Sequence, residues 1–389
     1  MDAKAFTNPS GKLIRTPQGY EAFLPDPLPR EFSLTPEATY LLSSADRSVG
    51  ELAGMARMLP NPDLIFAPLS RREAVLSSRI EGTQASFSDL AMYEVGGADA
   101  PVRNPDVLEV RNYRVALNRG LERLVTLPLS LRFVRELHAE LMTDVRRHEK
   151  TPGEFRTSQN WIGAPGSSLD SATYVPPPPG ELISCLADWE AFLHEQLPVP
   201  ALVKCAMLHY QFEAIHPFLD GNGRVGRLMI LMFLVASGYL SAPVLYLSPY
   251  IESHRDEYYS RLRAVTERSD WDGWLKFFLS GVVAQAMDGL ERSQEVLNLQ
   301  QAYRERLVQR RAPNSALRLL DKAFVTPAMT ISYVASELDV TWMTARTAIS
   351  ALIEAGILQE VTGRQRDRFF MANEVIQAAN RPSRQPVVE

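Results

Sequence analysis

The sequence predicts a mainly α-helical protein with one small β-hairpin flap and a C-terminal winged helix-turn-helix domain. Apolar residues recur at helical spacing from about Leu34 to Arg311, which is typical of stacked amphipathic helices. The longest interruption is the Gly- and Ser-rich segment Gly153–Gly180, which closes in four consecutive prolines. After a break at residues 312–315, the pattern changes to helix, turn, helix and hairpin, the order of a winged helix.

Composition and charge exclude several classes of protein. The 389 residues carry 41 Lys and Arg against 46 Asp and Glu, a net charge of −5, so the surface as a whole is not a nucleic-acid or membrane anchor. Cys185 and Cys205 lie in apolar helical patterns and are predicted to be buried thiols. The most apolar stretch, Leu228–Leu240, is too short to cross a bilayer. These features predict a cytoplasmic protein with no membrane partner.

The helices follow from periodicity and from their start and stop signals. The first thirty residues favour an arm or strand, and the second helix is predicted to begin at the N-cap Ser70 and to stop at Gly82. The predicted helices cover Thr35–Met58, Ser70–Glu81, Pro105–Val125, Ser130–Arg147, Glu181–Glu195, Pro200–Ile215, Asn222–Ser237, His254–Thr266 and Trp271 to about Arg311. Segment 153–180 is predicted to form a hairpin or flap and then a short polyproline stretch. The expected domains are an N-terminal segment over 1–104, a core over 105–300 and a winged helix over 312–380.

One segment carries most of the chemical information. It reads His216-Pro217-Phe218-Leu219-Asp220-Gly221-Asn222-Gly223-Arg224-Val225-Gly226-Arg227. Gly221 and Gly223 lie where a loop enters an apolar helix, and free N–H groups at a helix N-terminus bind anions. Arg224 and Arg227 are three residues apart, so both can project from one face of that helix. Two guanidinium groups beside such N–H groups favour a polyphosphate ligand.

The same segment offers a base and a metal ligand. Asp220 supplies a hard oxygen beside the predicted phosphate site, as Mg²⁺ requires. His216 is a base whose ordinary pKa lies near neutrality. Together these residues indicate phosphoryl or nucleotidyl transfer. The alternative is a tight Asp-Gly-Asn-Gly turn with His216 as a helix cap.

These residues resemble the Fic (filamentation-induced-by-cAMP) family, whose motif is H-x-F-x-D-G-N-G-R-x-x-R. The resemblance implies transfer of AMP from ATP to a Tyr, Thr or Ser hydroxyl of a protein, with His216 as the base and Asp220 holding Mg²⁺. It also implies that Gly221, Asn222 and Gly223 cradle the phosphates. Arg224, Val225, Gly226 and Arg227 would continue that site, with Arg227 on the γ-phosphate and Phe218 packed inward.

The family often carries an inhibitory helix with the pattern [S/T]-x-x-x-E-[G/N]. Ser77, Glu81 and Gly82 fit this pattern in the helix predicted from periodicity. The resemblance implies that the Glu81 carboxylate pairs with Arg227 and so competes with the γ-phosphate of ATP. The alternative is a helix-end glutamate followed by a glycine cap.

Two further regions resemble the family less closely. The segment from Trp161-Ile162-Gly163 to Tyr174-Val175-Pro176-Pro177 matches the position of the family's flap. The resemblance implies that Ser171, Ala172, Thr173 and Tyr174 lie against the nucleotide. The implied adenine wall consists of Tyr258, Tyr259, Leu262 and Thr266. Thr266 departs from the Asn found in some members, and an apolar stripe on this helix could equally be core. His209, on an apolar helix, is predicted to be a core histidine.

The C-terminal domain raises a competing hypothesis, a DNA-binding regulator. Its predicted recognition helix, Thr341 to Glu354, has one cation, Arg346, and nine basic against eight acidic residues lie between Arg311 and Glu389. Because phosphate neutralisation dominates DNA affinity, DNA is only weakly supported as a partner, and protein interaction or dimerisation is the alternative. The sequence does not specify the target protein, and the chain itself is one candidate. A homodimer is a separate candidate assembly. Removal of AMP or transfer of another phosphate-containing group are alternative reactions of the fold.

Overall fold

The computed structural model describes residues 3–59, 61–144, 151–164, 166–364 and 366–381. It divides into two compact units. The motif unit comprises Met1–Val49, Val115–Ala242 and Tyr250–Val283. The winged-helix unit comprises Gly50–Arg114, Pro243–Pro249 and Ala284–Glu389.

Helices dominate the described part of the chain, as predicted. The helices are α1 (Pro36–Arg57), α2 (Asp63–Ile80), α3 (Phe87–Gly96), α4 (Val107–Leu124), α5 (Leu131–Leu141), α6 (Pro179–His194), α7 (Ala201–Ile215), α8 (Asn222–Ala236), α9 (Ser248–Ser253), α10 (Arg255–Arg268), α11 (Trp271–Gln309), α12 (Asn314–Val325), α13 (Ile331–Leu338), α14 (Trp342–Glu354) and α15 (Asn373–Asn380). The strands are β1 (Gly11–Arg15), β2 (Glu21–Pro25), β3 (Ala328–Met329), β4 (Gln359–Glu360) and β5 (Phe370–Met371).

The core of the motif unit is the pair α7 and α8. Both helices are apolar on nearly every side, α6 packs on α7, and α5 packs on α8. Gly226 allows the two helices to approach closely, since a Cβ there would lie 2.2 Å from the Glu213 Oε1 atom of α7. The β1–β2 hairpin is antiparallel, with Gly11 opposite Pro25, and Phe23 N donates to Val175 O at 2.9 Å. The N-terminal arm is therefore a hairpin attached to the end of the flap.

The winged-helix unit has the predicted helix-turn-helix followed by a wing. Helices α12, α13 and α14 pack together, and the antiparallel strands follow the order β3-β5-β4. Asp339 takes a left-handed conformation (φ 50°) in the turn between α13 and α14. Helix α2 lies in this unit, packed against α3, α12 and α15. The C-terminal winged helix is confirmed.

Several predicted boundaries were wrong. Helix α2 begins at Asp63, and Ser70 lies inside it, where its hydroxyl donates to Ala67 O at 2.9 Å and caps nothing. Helices α3, α9 and α15 were missed, and α5 ends at Leu141. The helix was predicted to continue to Arg147, and residues 145–150 lie outside the described residues. No helix within the described ranges is long and apolar enough to cross a membrane.

Candidate functional site

His216 lies immediately after α7, in an unusual backbone conformation. Its N–H donates to Phe212 O at 3.0 Å, and its φ and ψ of 50° and 61° are left-handed. The Nδ1 atom lies 3.3 Å from Glu213 O. A carbonyl oxygen only accepts, so Nδ1 carries the proton of a neutral ring and Nε2 is the unprotonated nitrogen. The left-handed turn therefore presents Nε2 as a base.

The loop between α7 and α8 is closed by one side chain. Asn222 Oδ1 accepts from Phe218 N, and Asn222 Nδ2 donates to Phe218 O, both at 2.8 Å. Gly221 precedes α8 with φ 76°, a conformation that favours glycine, and its N–H donates to Asp220 Oδ1 at 2.7 Å. The first N–H groups of α8 lie beside this loop, as an anion site needs.

Two buried arginines follow on the first turns of α8. Arg224 and Arg227 are 3% and 4% exposed. The Nη2 atom of Arg224 lies 3.6 Å from Asp220 Oδ1 and 3.8 Å from Met142 Sδ. The Arg224 guanidinium and the positive end of the helix dipole thus act on the region of Asp220.

Asp220 fits the expected role in holding Mg²⁺. Within the described ranges, no group of three His, Cys, Asp or Glu side chains could hold a metal. Mg²⁺ commonly takes one or two carboxylates together with substrate phosphates and water. The Asp220 side chain is 34% exposed, next to the anion site, and suits that donor set.

His138 of α5 contacts the loop between α7 and α8, a role that was not predicted from the sequence. Its Nδ1 accepts from Gly153 N at 2.8 Å, so Nε2 carries the proton and donates to Asp220 O at 3.1 Å. Its ring stacks on the buried Phe218, with centroids 3.8 Å apart. Burial lowers the pKa of His138 to about 4 and keeps the ring neutral. The inward packing predicted for Phe218 is confirmed.

Arg156 and Asn160, also missed, bind the backbone of the same loop. Arg156 Nε donates to His216 O at 2.9 Å, and Asn160 Nδ2 donates to Phe218 O at 2.8 Å. Both come from the irregular segment before the flap, about sixty residues upstream of the motif. The only signal in the sequence is a cation within a loop rich in glycine and proline.

The flap is a minimal hairpin. Ile162 and Tyr174 form an antiparallel bridge, with Ile162 N donating to Tyr174 O at 2.8 Å. Of the four predicted nucleotide contacts, Ser171 and Thr173 are exposed, whereas Ala172 is buried in a small cluster with Ala22. Tyr174 donates its hydroxyl to Ala214 O at 2.6 Å, so that group is held by α7.

The predicted adenine wall divides into core and surface residues. Tyr258 is buried, and its hydroxyl donates to His209 Nε2 at 2.8 Å, because Nδ1 of that ring donates to Gly226 O. Thr266 is also buried, hydrogen-bonded to the Tyr210 hydroxyl at 3.1 Å. Tyr259 is 37% exposed, and Leu262 is half-buried. Tyr259 and Leu262 are thus the members of the wall that reach the surface, and His209 is the core histidine predicted.

The predicted inhibitory residues end helix α2 of the winged-helix unit. Ser77 is fully buried, and Glu81, the residue after the helix, is exposed. Gly82 has φ 102°, and its N–H donates to Arg79 O at 2.9 Å, so the predicted glycine cap is present. The cap fixes the direction in which the chain leaves α2 and holds Glu81 at the helix end.

Comparison with known families agrees with the geometry of the motif. Residues 39–122 match the Fic/DOC family N-terminal domain, and residues 128–234 match the Fic/DOC family. The second match contains the whole His216–Arg227 segment. These two regions of the chain are similar to the Fic/DOC family.

Similar proteins carry names that bear on function. A protein adenylyltransferase Fic from Aedes aegypti is 35% identical over 141 residues, which is 36% of this chain and 25% of that protein. One from Drosophila erecta is 28% identical over 199 residues, covering 49% of this chain and 37% of that protein. The chain thus spans 25% to 37% of the length of these curated relatives.

Solved structures share the fold. A Fic family protein from Desulfovibrio desulfuricans has a TM-score of 0.58 at 18% identity, covering 88% of this chain and 97% of that one. A Fic domain-containing signaling protein from Bacteroides thetaiotaomicron has a TM-score of 0.52 at 17% identity, covering 64% and 96%. These likenesses establish the helical Fic fold.

Proposed function

We propose that this protein is an adenylyltransferase that moves AMP from ATP to a Tyr, Thr or Ser hydroxyl of a target protein. The observation that carries the proposal is the tautomer of His216. Its Nδ1–H points to Glu213 O, which leaves Nε2 as a base beside a helix N-terminus with two buried arginines. The relatives named protein adenylyltransferase Fic support the same reaction.

The chain's own residues account for each step. Nε2 of His216 removes the proton from the target hydroxyl, whose oxygen then attacks the α-phosphorus of ATP. The bond from that phosphorus to the bridging oxygen breaks, and pyrophosphate leaves. Arg224, Arg227 and the N–H groups at the start of α8 stabilise the charge that develops on the phosphate oxygens. Mg²⁺ bound at Asp220 would neutralise charge on the α- and β-phosphates.

Glu81 is proposed to inhibit this reaction. A carboxylate that pairs with the Arg227 guanidinium competes with the γ-phosphate and leaves ATP bound unproductively. The pattern of Ser77, Glu81 and Gly82 at the end of a helix supports this assignment, and so does the match to the family's N-terminal domain.

The test is labelling of protein with ATP that carries the label on the α-phosphate. Glu81→Gly should raise transfer about tenfold or more, the factor that corresponds to about 1.4 kcal/mol of restraint. Glu354→Gly is the matched control, because Glu354 is also an exposed glutamate at a helix end in the same unit. Adding His216→Ala to the Glu81→Gly variant should lower transfer by about 10²–10⁴-fold.

The pattern of labels distinguishes the reactions. Label from the α-phosphate with none from the γ-phosphate supports AMP transfer, and label from the γ-phosphate would reassign the protein as a kinase. Loss of AMP from a labelled target, dependent on Glu81, would indicate the reverse hydrolytic activity. Equal labelling of wild type and Glu81→Gly would reject inhibition by this glutamate.

A DNA-binding regulator is the alternative function for the winged-helix unit. On α14 the guanidinium of Arg346 lies over the Trp342 ring, 5.8 Å from its centroid, and that ring is half exposed. One stacked arginine supplies few phosphate contacts. Strongly salt-dependent binding of duplex DNA, without label on any protein, would favour this alternative.

A further inference from the structure

Arg156 is a buried cation whose guanidinium is bound by backbone carbonyls. The residue is 3% exposed. Its Nε donates to His216 O at 2.9 Å, and its Nη2 donates to Pro177 O at 2.6 Å and to Ile215 O at 3.4 Å. Its Nη1 donates to Ser158 O at 3.4 Å. No carboxylate appears among its contacts with the described residues, so the side chain is not held by an ion pair.

The position of this charge at the end of α7 explains why it is tolerated. Ile215 and His216 supply carbonyls of the helix terminus, which have no partner inside the helix and lie at the negative end of its dipole. Burial lowers the pKa of Arg156 to about 10, which still leaves the group protonated at neutral pH. Arg156 therefore caps α7 from outside the helix.

The cap acts on a residue whose backbone is strained. A left-handed conformation costs a residue with a side chain roughly 1–2 kcal/mol, so that neighbouring contacts must hold His216 there. Arg156 supplies two of them, since its own N–H also donates to Pro217 O at 2.9 Å. Asn160 Nδ2 adds a hydrogen bond to His216 O at 3.3 Å.

We propose that Arg156 is the positioning residue for the general base: its guanidinium holds His216 in the left-handed turn that aims Nε2 at the target hydroxyl. The proposal rests on the adenylyl transfer described above. It assigns Arg156 no contact with ATP. The same guanidinium binds Pro177 O at the end of the flap. Arg156 therefore fixes the position of His216 relative to the flap.

This role separates the rate of transfer from nucleotide binding. Lysine keeps the charge of Arg156 but lacks the planar fork that reaches several carbonyls at once. In the Glu81→Gly background, Arg156→Lys should lower the rate at saturating ATP by about 10²-fold, the usual cost of a misplacement of about 1 Å. The dissociation constant for ATP should change less than about twofold, because Arg224 and Arg227 belong to α8.

Arg135→Met is the matched control. Arg135 binds the same segment as Arg156, through Gly153 O at 2.7 Å and Glu154, and its hydrogen bonds and ion pair with described residues do not include the motif. The transfer rate of Arg135→Met should stay within about twofold of the rate of the Glu81→Gly parent. An unchanged rate in Arg156→Lys, or a parallel loss of ATP affinity, would overturn the proposal.

A second measurement needs no turnover. In protein with ¹⁵N-labelled histidine, the ring nitrogens of His216, assigned by loss in His216→Ala, should show the Nδ1–H tautomer. Arg156→Lys should convert them to a tautomer mixture, and an unchanged signal would overturn the positioning role alone. Absence of AMP transfer by the Glu81→Gly parent would instead defeat the proposed function. If Arg156→Lys does not fold, Asn160→Ala should show both effects to a smaller degree, and no effect would count against the proposal.

Discussion

The two units differ in the partners of several buried charges. In the winged-helix unit, buried charges pair with one another: Arg71 with Glu94, and both Arg72 and Arg292 with Asp288. In the motif unit, buried Arg156 binds carbonyls, and the rings of His138 and His209 are neutral.

The difference teaches where each unit can fail. An ion pair holds helices together but leaves a costly charge when one partner is lost. A cation bound by carbonyls and a neutral imidazole fix the backbone instead, which suits a loop proposed to position a base and an anion. The stability of the winged-helix unit should thus depend on single charged residues. The stability of the motif unit should depend on pH.

The largest expected effect is the loss of the shared carboxylate in the winged-helix unit. Asp288→Asn leaves Arg72 and Arg292 buried without their counter-ion and should destabilise the unit by about 3–5 kcal/mol. Hydrogen exchange measured by peptide should accelerate in α2 and α15. Asp321→Asn, which removes a half-exposed pair with Arg304, is the control and should cost at most about 1 kcal/mol. Equal effects of the two changes would contradict the contrast between the units.

The next effect is on acid stability. Burial lowers the pKa of His209 to about 3, against about 6.5 in the unfolded chain. The unfolded chain therefore binds a proton that the folded protein does not, and stability falls as the pH falls from about 6.5 to about 3. At pH 5 this term is about 2 kcal/mol. In His209→Gln, the decrease of the unfolding free energy between pH 7 and pH 5 should be smaller by about 2 kcal/mol.

The position of the histidines sharpens this prediction. All six lie in the sequence ranges of the motif unit. Exchange at pH 5 should therefore accelerate in α7 and α8 through this mechanism. His194→Gln, at the exposed end of α6, should leave the pH dependence unaltered. A wild-type stability that is flat between pH 7 and 5 would show that His209 is protonated in the folded state.

The smallest effect comes from one helix cap in each unit. Ser130 caps α5 by accepting from Phe133 N at 3.3 Å, and Thr330 caps α13 by accepting from Tyr333 N at 3.1 Å. Substitution of either residue by alanine should cost about 1 kcal/mol. Exchange should accelerate only in the unit that carries the change. Acceleration in both units would mean that they unfold as one.

Local sequence patterns predicted the elements whose structure depends on neighbouring residues in the chain. The helices, the winged helix and the His216–Arg227 loop follow from periodicity, turn residues and one dense motif. The start of α2 was missed because Pro68 lies inside the helix, where proline normally marks a boundary. Helix α3 was missed although Ser86 and Asp89 form a capping box.

Contacts between distant residues could not be predicted from the sequence. Arg156 is 60 residues from His216, and His138 is 82 from Asp220, so no spacing rule connects them. The burial of Tyr258 could not be predicted either, because an aromatic stripe on a helix is compatible with both a ligand-binding wall and a core. Its partner, His209, lies 49 residues away.

The consecutive residues Arg71, Arg72 and Glu73 constrain how α2 can move. They point to different neighbours: Glu94 of α3, Asp288 of α11, and the hydroxyls of Tyr113 and Ser248. Sliding or rolling α2 would pull at least one charge from its partner. Glu81 follows α2 directly, so these contacts also restrain the position of its backbone.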